Sequence, residues 1–276
     1  MPHLKPAPAR AAGLPTVSII TVCFNSARTI GDTLRSVAAQ HHANIEHIVI
    51  DGGSTDDTLA MVRSAGAHVA QLVSEPDGGI YDAMNKGLAR ANGDVVGFLN
   101  SDDMLAGPDV IGDIARAFAT HPTDAVFGNL VFVDQLDVSR TVRYWQATPH
   151  TPGACARGWM PPHPTLYVRR DLLQASGGFC LDYRLQADFE LILRLFEVQG
   201  LRALHLPQVL IRMRMGGATT GSLRNVIRGN LEASRACRRN GFPGGALFIA
   251  RKLLSRIPQF FAGPGAAIPP QTPHLP

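Results

Sequence analysis

Two aspartates stand side by side, Asp102 and Asp103, at the end of the run VVGFLNSDD, residues 95–103. Val95, Val96, Phe98 and Leu99 are apolar and make a run long enough for a buried strand. Adjacent carboxylates at the end of such a strand supply oxygen donors for a hard divalent cation, which keeps part of its shell for substrate phosphates. The plainer reading is that they cap a following helix, with Pro108 near its start. Two other apolar runs also end in polar residues. TVSIITVCFN, 16–25, ends in Asn25, and IEHIVI, 45–50, runs into Asp51, Gly52 and Gly53. Open α/β sheets bind ligands beyond the carboxyl ends of their strands, so three such ends on one rim read as a nucleotide site. A GxGxxG dinucleotide fingerprint after the first strand is missing, and so is a GxxxxGK[ST] phosphate loop. The glycine-rich N-terminal loop of a sugar nucleotidyltransferase is missing too.

Alternating strands and helices must position these groups. The first strand, 16–25, is β-branched and apolar, as a central strand requires. Ser26 is placed to cap a helix over Thr29–Gln40. After Asp51, Ser54 and Asp57 resemble a capping box for a helix carrying Leu59 and Val62. Ala67–Val73 reads as a third strand. Asp77, Gly78 and Gly79 form a loop, since paired glycines free the backbone to turn. Ile80, Met84 and Leu88 then recur at helical spacing, and Asn92 and Gly93 stop that helix. The alternation predicts a mostly parallel sheet with helices on both faces. Further on, Ala125–Val133 reads as a strand with Arg140–Trp145 as its hairpin partner. The loop Thr148–Pro164 holds five prolines and should be irregular. Ala187–Phe196 is an amphipathic helix with Asp188 in its first turn, where the helix N-terminus stabilises a carboxylate.

Composition sets the outer limits. The chain has 276 residues, is 45% hydrophobic and 17% charged, and so carries a sizeable core. A net charge of +4, with the basic residues late in the chain, suits a nucleotide-bearing substrate, an anionic membrane or nucleic acid, without choosing among them. Cys23, Cys155, Cys180 and Cys237 show neither CxxC pairing nor zinc-ligand spacing. With no signal peptide in the sequence, buried free thiols in a reducing cytosol are expected. No apolar run reaches the roughly 18 residues of a spanning helix.

TVSIITVCFN, DGGSTDDT, EPDGGIYDAMNKGLARANGDVVGFLNSDD and LQADFELILRL, in that order, resemble family 2 glycosyltransferases of the GT-A fold. The resemblance runs from Val17 to Thr220 and is nearest to bacterial enzymes building exopolysaccharide, O-antigen or glycolipid glycans, the colanic-acid type among them. It implies a Rossmann-like, mostly parallel sheet with added C-terminal helices. It also implies a nucleotide-sugar donor, a divalent metal (Mg2+ or Mn2+) and inversion at the anomeric carbon. Residue by residue, Phe24 and Asn25 match an aromatic-Asn pair near the base, and Asp51 an acidic residue bonding the nucleobase. Asp77 and Lys86 fall near the sugar and phosphates. Asn100-Ser101-Asp102 occupies the place of the metal-binding D-x-D. Asn100 replaces its first Asp, leaving Asp102 and Asp103 as the metal carboxylates. Asp188 matches the general base, with Ala187 where many relatives carry Glu. His163, in PPHPTLYVRRDLL, resembles a His ahead of a strand and helix, a candidate for acceptor contact or catalysis, and Gly177, Gly178 and Phe179 match a G-G-F turn. Each has a plain alternative: Phe24 as core, Asp51 as a turn residue, Asp77 as a helix cap, Lys86 as a solvated face, His163 as a structural hydrogen-bonder.

The implied chemistry is one direct displacement. Asp188 takes a proton from an acceptor hydroxyl, which attacks the anomeric carbon. Arg212 and Arg214 either join the clamp on the departing diphosphate or are surface arginines. The expected organisation is a disordered arm at 1–15 and a GT-A domain at 16–220. That domain divides into a nucleotide-sugar half, 16–115, and an acceptor half, 116–220. A helical segment at 221–262 and a flexible tail at 263–276 follow. Within 246–262, Leu247, Phe248, Leu253, Leu254, Ile257, Phe260 and Phe261 alternate with Arg251, Lys252 and Arg256. Such a basic amphipathic helix lies on a membrane surface or packs on the domain. The polymerising motif Q-x-x-R-W is absent. The expected activity is a single-addition transfer to a glycan or lipid-linked acceptor, in the cytoplasm at the inner face of the plasma membrane, with no nucleic-acid partner. The alternative is an inactive, nucleotide-sugar-binding scaffold subunit of a glycan-assembly complex.

Overall fold

The computed structural model describes residues 13–65, 68–216 and 223–254. Most of the expected arm, the tail and residues 255–262 lie outside the described residues.

The first half winds β1 (Val17–Cys23), α1 (Ile30–Ala38), β2 (Ile45–Asp51), α2 (Thr58–Ser64), β3 (Gln71–Ser74), α3 (Ile80–Arg90) and β4 (Val95–Phe98). All seven residues of β1 are buried, because β1 pairs in parallel with β2 on one side and β4 on the other. β2 pairs in parallel with β3. The expected parallel block is therefore present, with β3 starting four residues later than Ala67. No capping box forms at α2: Asp57 makes no side-chain cap, and Asp56 takes the Thr58 N–H instead, at 3.0 Å.

The second half adds β5 (Asp103–Leu105), α4 (Val110–Thr120), β6 (Ala125–Val133), β7 (Thr141–Trp145), β8 (Tyr167–Arg169), α5 (Arg170–Ala175), α6 (Ala187–Leu193), β9 (Ala203–Arg214), α7 (Leu223–Arg239) and α8 (Ala246–Leu254). One sheet runs through both halves in the order β3-β2-β1-β4-β8-β6-β9-β5, with β7 beside β6. β8 joins β4 to β6 by antiparallel pairs, and β6 runs parallel to β9. Gly97 makes the β4–β8 junction fit. A Cβ there would lie 2.2 Å from a ring carbon of Tyr167, whose side chain is fully buried across it.

Two elements differ from expectation. Asp103 does not cap a helix; it opens β5 and pairs antiparallel with Met213 of β9. β9 itself, twelve residues long, carries Arg212 and Arg214 to the rim.

The proline-rich loop is fastened by Glu197. Its carboxylate accepts the N–H groups of Gly153 at 2.7 Å and Cys155 at 2.8 Å and lies 3.2 Å from His150 Nε2.

The C-terminal helices dock beneath α6. The rings of Phe248 and Phe189 lie 5.8 Å apart. Lys252, expected on a basic outer face, is instead 2% exposed, and its Nζ donates to Gln186 Oε1 at 2.7 Å. Glu232 of α7 accepts the N–H groups of Leu185 at 2.8 Å and Gln186 at 3.2 Å. Leu247, Leu253 and Leu254 point outward and are exposed. Among the described residues, no helix is long and apolar enough to cross a membrane.

Candidate active site

The rim begins where β1 ends. Phe24 is 61% exposed, so it is not a core residue. Asn25 takes a left-handed φ of 49°, a conformation Asn tolerates better than most residues. Its N–H donates to Ser54 Oγ at 2.8 Å, and its Oδ1 accepts the Thr55 N–H at 2.9 Å. The loop after β2 is thereby tied to the end of β1. Gly52 leaves room between two groups: a Cβ there would lie 2.5 Å from Asp77 Oδ2 and 3.5 Å from the Phe24 ring. An exposed aromatic and a carboxylate thus flank one glycine.

Asp51 behaves differently. Its side chain is fully buried, and its oxygens accept Gly53 N–H at 3.1 Å, Ser54 N–H at 3.0 Å, Ser74 Oγ at 2.7 Å and the Ser54 hydroxyl. Burial works against the charge, but these donors outweigh it and hold the carboxyl below its usual range. The structure uses Asp51 to build the loop, and the carboxylate beside Phe24 is Asp77. Lys86 is also engaged locally. Its ammonium donates to Pro76 O at 2.8 Å and pairs with Glu75 at 3.0 Å and Asp82 at 3.7 Å. Asp77 Oδ1 accepts the Gly79 N–H at 2.8 Å, which shapes the turn into α3.

Next along the rim, Ser26 and Ser101 share a hydrogen bond of 2.8 Å that joins the exits of β1 and β4. Asp102 is partly exposed and Asp103 fully buried. Burial raises both carboxyls above the usual range; at Asp103 the Asp102 charge adds to it, and Arg214 opposes the rise at both. Asn100 Nδ2 donates to Asp103 Oδ2 at 3.1 Å. Asp103 Oδ1 and Asn100 Oδ1 are buried oxygens that no donor among the described residues reaches. Unsatisfied acceptor oxygens around two carboxyls suit a hard divalent cation. Arg214 is 6% exposed, so it is no surface arginine. Its Nη2 pairs with Asp32, while Nε and Nη1 are buried without a partner among the described residues. Arg212 bonds the Val138 carbonyl instead.

In the second half, Asp188 opens α6 half-buried, and its Oδ1 accepts the Phe189 N–H at 2.8 Å. Tyr81, at the start of α3, donates its hydroxyl to the same oxygen at 3.3 Å. His163 is 9% exposed and lies between Phe98, stacked at 5.9 Å, and Phe179, edge-on at 5.6 Å. Burial lowers its pKa, against the nearby Asp188 charge. His163 therefore forms the wall behind Asp188 rather than an open contact. The G-G-F turn has a physical reason. Gly178 takes φ +68°, and a Cβ there would lie 2.5 Å from Asn85 Oδ1, which accepts the Phe179 N–H at 2.8 Å. Cys180 beside it is half-buried and receives Arg239 at 3.8 Å. Tyr81, Asn85, Glu232 and Lys252 all support this corner; the first three carry no role in the sequence reading, and Lys252 was read there only as part of a basic helix face. Tyr81 and Asn85 sit inside the quoted IYDAMNKG segment, which was their one signal.

The profile described as glycosyl transferase family 2 matches residues 18–175. An uncharacterized glycosyltransferase of Mycobacterium tuberculosis is 38% identical over 188 residues, covering 65% of this chain and 68% of the relative. A PGL/p-HBAD biosynthesis glycosyltransferase of Mycobacterium bovis is 30% identical over 199 residues, covering 66% of this chain and 70% of that one. In fold, the chain is similar to a mannosyltransferase of Pyrobaculum calidifontis solved with GDP-Man and Mn2+, at TM-score 0.62 and 20% identity, over 87% of this chain and 69% of that one. The architecture is GT-A, and the chain belongs to the family 2 glycosyltransferases.

Proposed function

We propose that the protein is an inverting, single-addition glycosyltransferase that moves a sugar from a nucleotide-sugar donor to a hydroxyl of a glycan or lipid-linked acceptor. The observation that carries this reading is the Tyr81–Asp188 hydrogen bond, which joins the two sides. Phe24, Asp77 and Asp102 lie on the donor rim, and Asp188 is hydrogen-bonded through Tyr81 to the helix that follows Asp77. Phe24 offers a stacking face to the base and Asp77 an acceptor to a base or sugar donor group. Asp102, with Asp103 behind it, would hold a divalent cation, and Arg214, whose Nε and Nη1 have no partner among the described residues, would add positive charge there. When bound, the cation supplies charge neutralisation on the departing diphosphate. Asp188 removes the proton of the attacking hydroxyl, and a direct attack inverts the anomeric centre.

The setting proposed is bacterial cell-surface polysaccharide or glycolipid assembly, in the cytoplasm at the inner face of the plasma membrane. Exposed Leu247 and Leu254 beside Arg251 give α8 an outer face suited to an anionic lipid surface. The test is a nucleotide-sugar panel read by nucleotide release, with Asp188→Asn as the control. Donor-dependent turnover in wild type that falls roughly 10²–10⁴-fold in Asp188→Asn, with donor affinity kept, is the expected result. Donor binding without turnover of any sugar in the panel would instead favour the scaffold reading.

A further inference from the structure

Resting on the reading of Asp188 as base, we infer that Tyr81 is its positioning residue: the phenol fastens one carboxylate oxygen, leaving the other to meet the acceptor hydroxyl. The contact is long-range in sequence and short in space. Tyr81 and Asp188 are 107 residues apart, and the hydroxyl lies 3.3 Å from Oδ1. Burial, followed by the Asp188 charge, pushes the phenol pKa upward, so the hydroxyl keeps its proton and can donate it in a hydrogen bond.

The ring that carries this hydroxyl is itself fixed. It stacks on Phe179 with centroids 5.4 Å apart and an interplanar angle of 27°. Phe179 is held in turn by Asn85, whose amide bonds both its N–H, at 2.8 Å, and its carbonyl, at 2.9 Å. Tyr81 and Asn85 belong to α3, whose preceding loop carries Asp77. One helix therefore sets both a donor-side carboxylate and the base. With Phe189 N–H and Tyr81 both on Oδ1, the carboxylate loses its freedom to rotate. Rigid placement matters because a misplacement of about 1 Å at a reacting group costs on the order of 10²-fold in rate.

The experiment compares Tyr81→Phe, Asp188→Asn and the double variant in the purified full chain, with a nucleotide sugar that wild type turns over. Tyr81→Phe removes one oxygen and keeps the ring stack. Its kcat should fall roughly 10- to 100-fold, the worth of one hydrogen bond to a charged group, with donor KM within a few-fold. In the Asp188→Asn background the same substitution should change kcat by less than a few-fold, because the phenol acts through Asp188. Phe179→Leu, which keeps the phenol but loosens its ring, should reproduce the kcat loss and serves if Tyr81→Phe fails to fold. A wild-type rate in folded Tyr81→Phe, alongside a dead Asp188→Asn, overturns the positioning role and leaves the base intact. An equal loss on both backgrounds also overturns it. A fully active Asp188→Asn removes the base itself, a separate failure.

Discussion

Replacing Asp51 by Asn separates two roles for that residue. By resemblance it bonds the nucleobase; by structure it is a buried knot inside the loop. Three hydrogen bonds reach Oδ2, from Gly53 N–H, Ser54 N–H and Ser74 Oγ. An amide placed with its NH2 toward the Ser54 hydroxyl keeps all three, since a hydroxyl can turn round to accept. Each bond then changes from charge-assisted to neutral, a loss of ~1 kcal/mol apiece and about 3 kcal/mol in all. At roughly 2–4 °C per kcal/mol for a chain of this size, the melting temperature should drop about 10 °C. The effect has a pH signature. The native carboxyl lies below its unfolded value of 3.8, so its stabilisation is full above that pH and is lost as pH falls below it. The gap between wild type and variant should therefore close in acid. Thermal melts across pH, with nucleotide affinity measured well below the melt, are the assay. Affinity should weaken only as far as the Ser54 and Thr55 bonds to Asn25 loosen. A variant that melts like wild type yet loses nucleotide affinity tenfold or more would refute this and return Asp51 to the ligand.

Excess chelator should abolish turnover, and Asp102→Asn should weaken donor binding without lowering the melt; full activity in chelator would remove the cation. His47 is buried, its Nε2 lies 3.0 Å from Thr21 Oγ1, and burial lowers its pKa to about 4. The unfolded chain takes that proton near 6.5 and the folded one only near 4, so acid favours unfolding by ~3 kcal/mol across this window. His47→Gln should flatten the melting curve between those pH values. Gly97→Ala should cost about 1–3 kcal/mol through the clash with Tyr167, visible in urea unfolding. Leu247→Ser with Leu254→Ser should reduce co-sedimentation with anionic vesicles at unchanged melting temperature, and unchanged co-sedimentation would exclude α8 as a docking face.

The nucleotide half was legible because its signals are local. Each apolar run ended in a polar cluster, and pairing in parallel brought those ends together. What a carboxylate does at such an end was not legible. Asp51, Asp77 and Asp103 have the same chemistry, and only the surrounding donors and burial decide which is knot, rim or buried partner. β9 escaped because Pro207, a residue that reads against a strand, lies inside it, where its register on β6 shifts near Asn129. Lys252 escaped because its partner, Gln186, lies 66 residues away, while the neighbouring leucines and arginine alone fit a lipid-facing helix. Tyr81 was visible only as part of a matched segment, since its partner Asp188 lies 107 residues away.

The grip of Glu232 and Lys252 on residues 185 and 186 bears on how the protein is made. The ribosome delivers the donor rim first, and the strands around Phe24 and Asp102 can pair once β4 has emerged. The segment leading into Asp188 waits for two helices that are synthesised later, the second ending at Leu254. A chain interrupted between β9 and α8 would carry the proposed donor rim without a seated Asp188. On the proposed reading, vectorial synthesis brings the donor rim before the base, and an unfinished polypeptide would lack a seated Asp188.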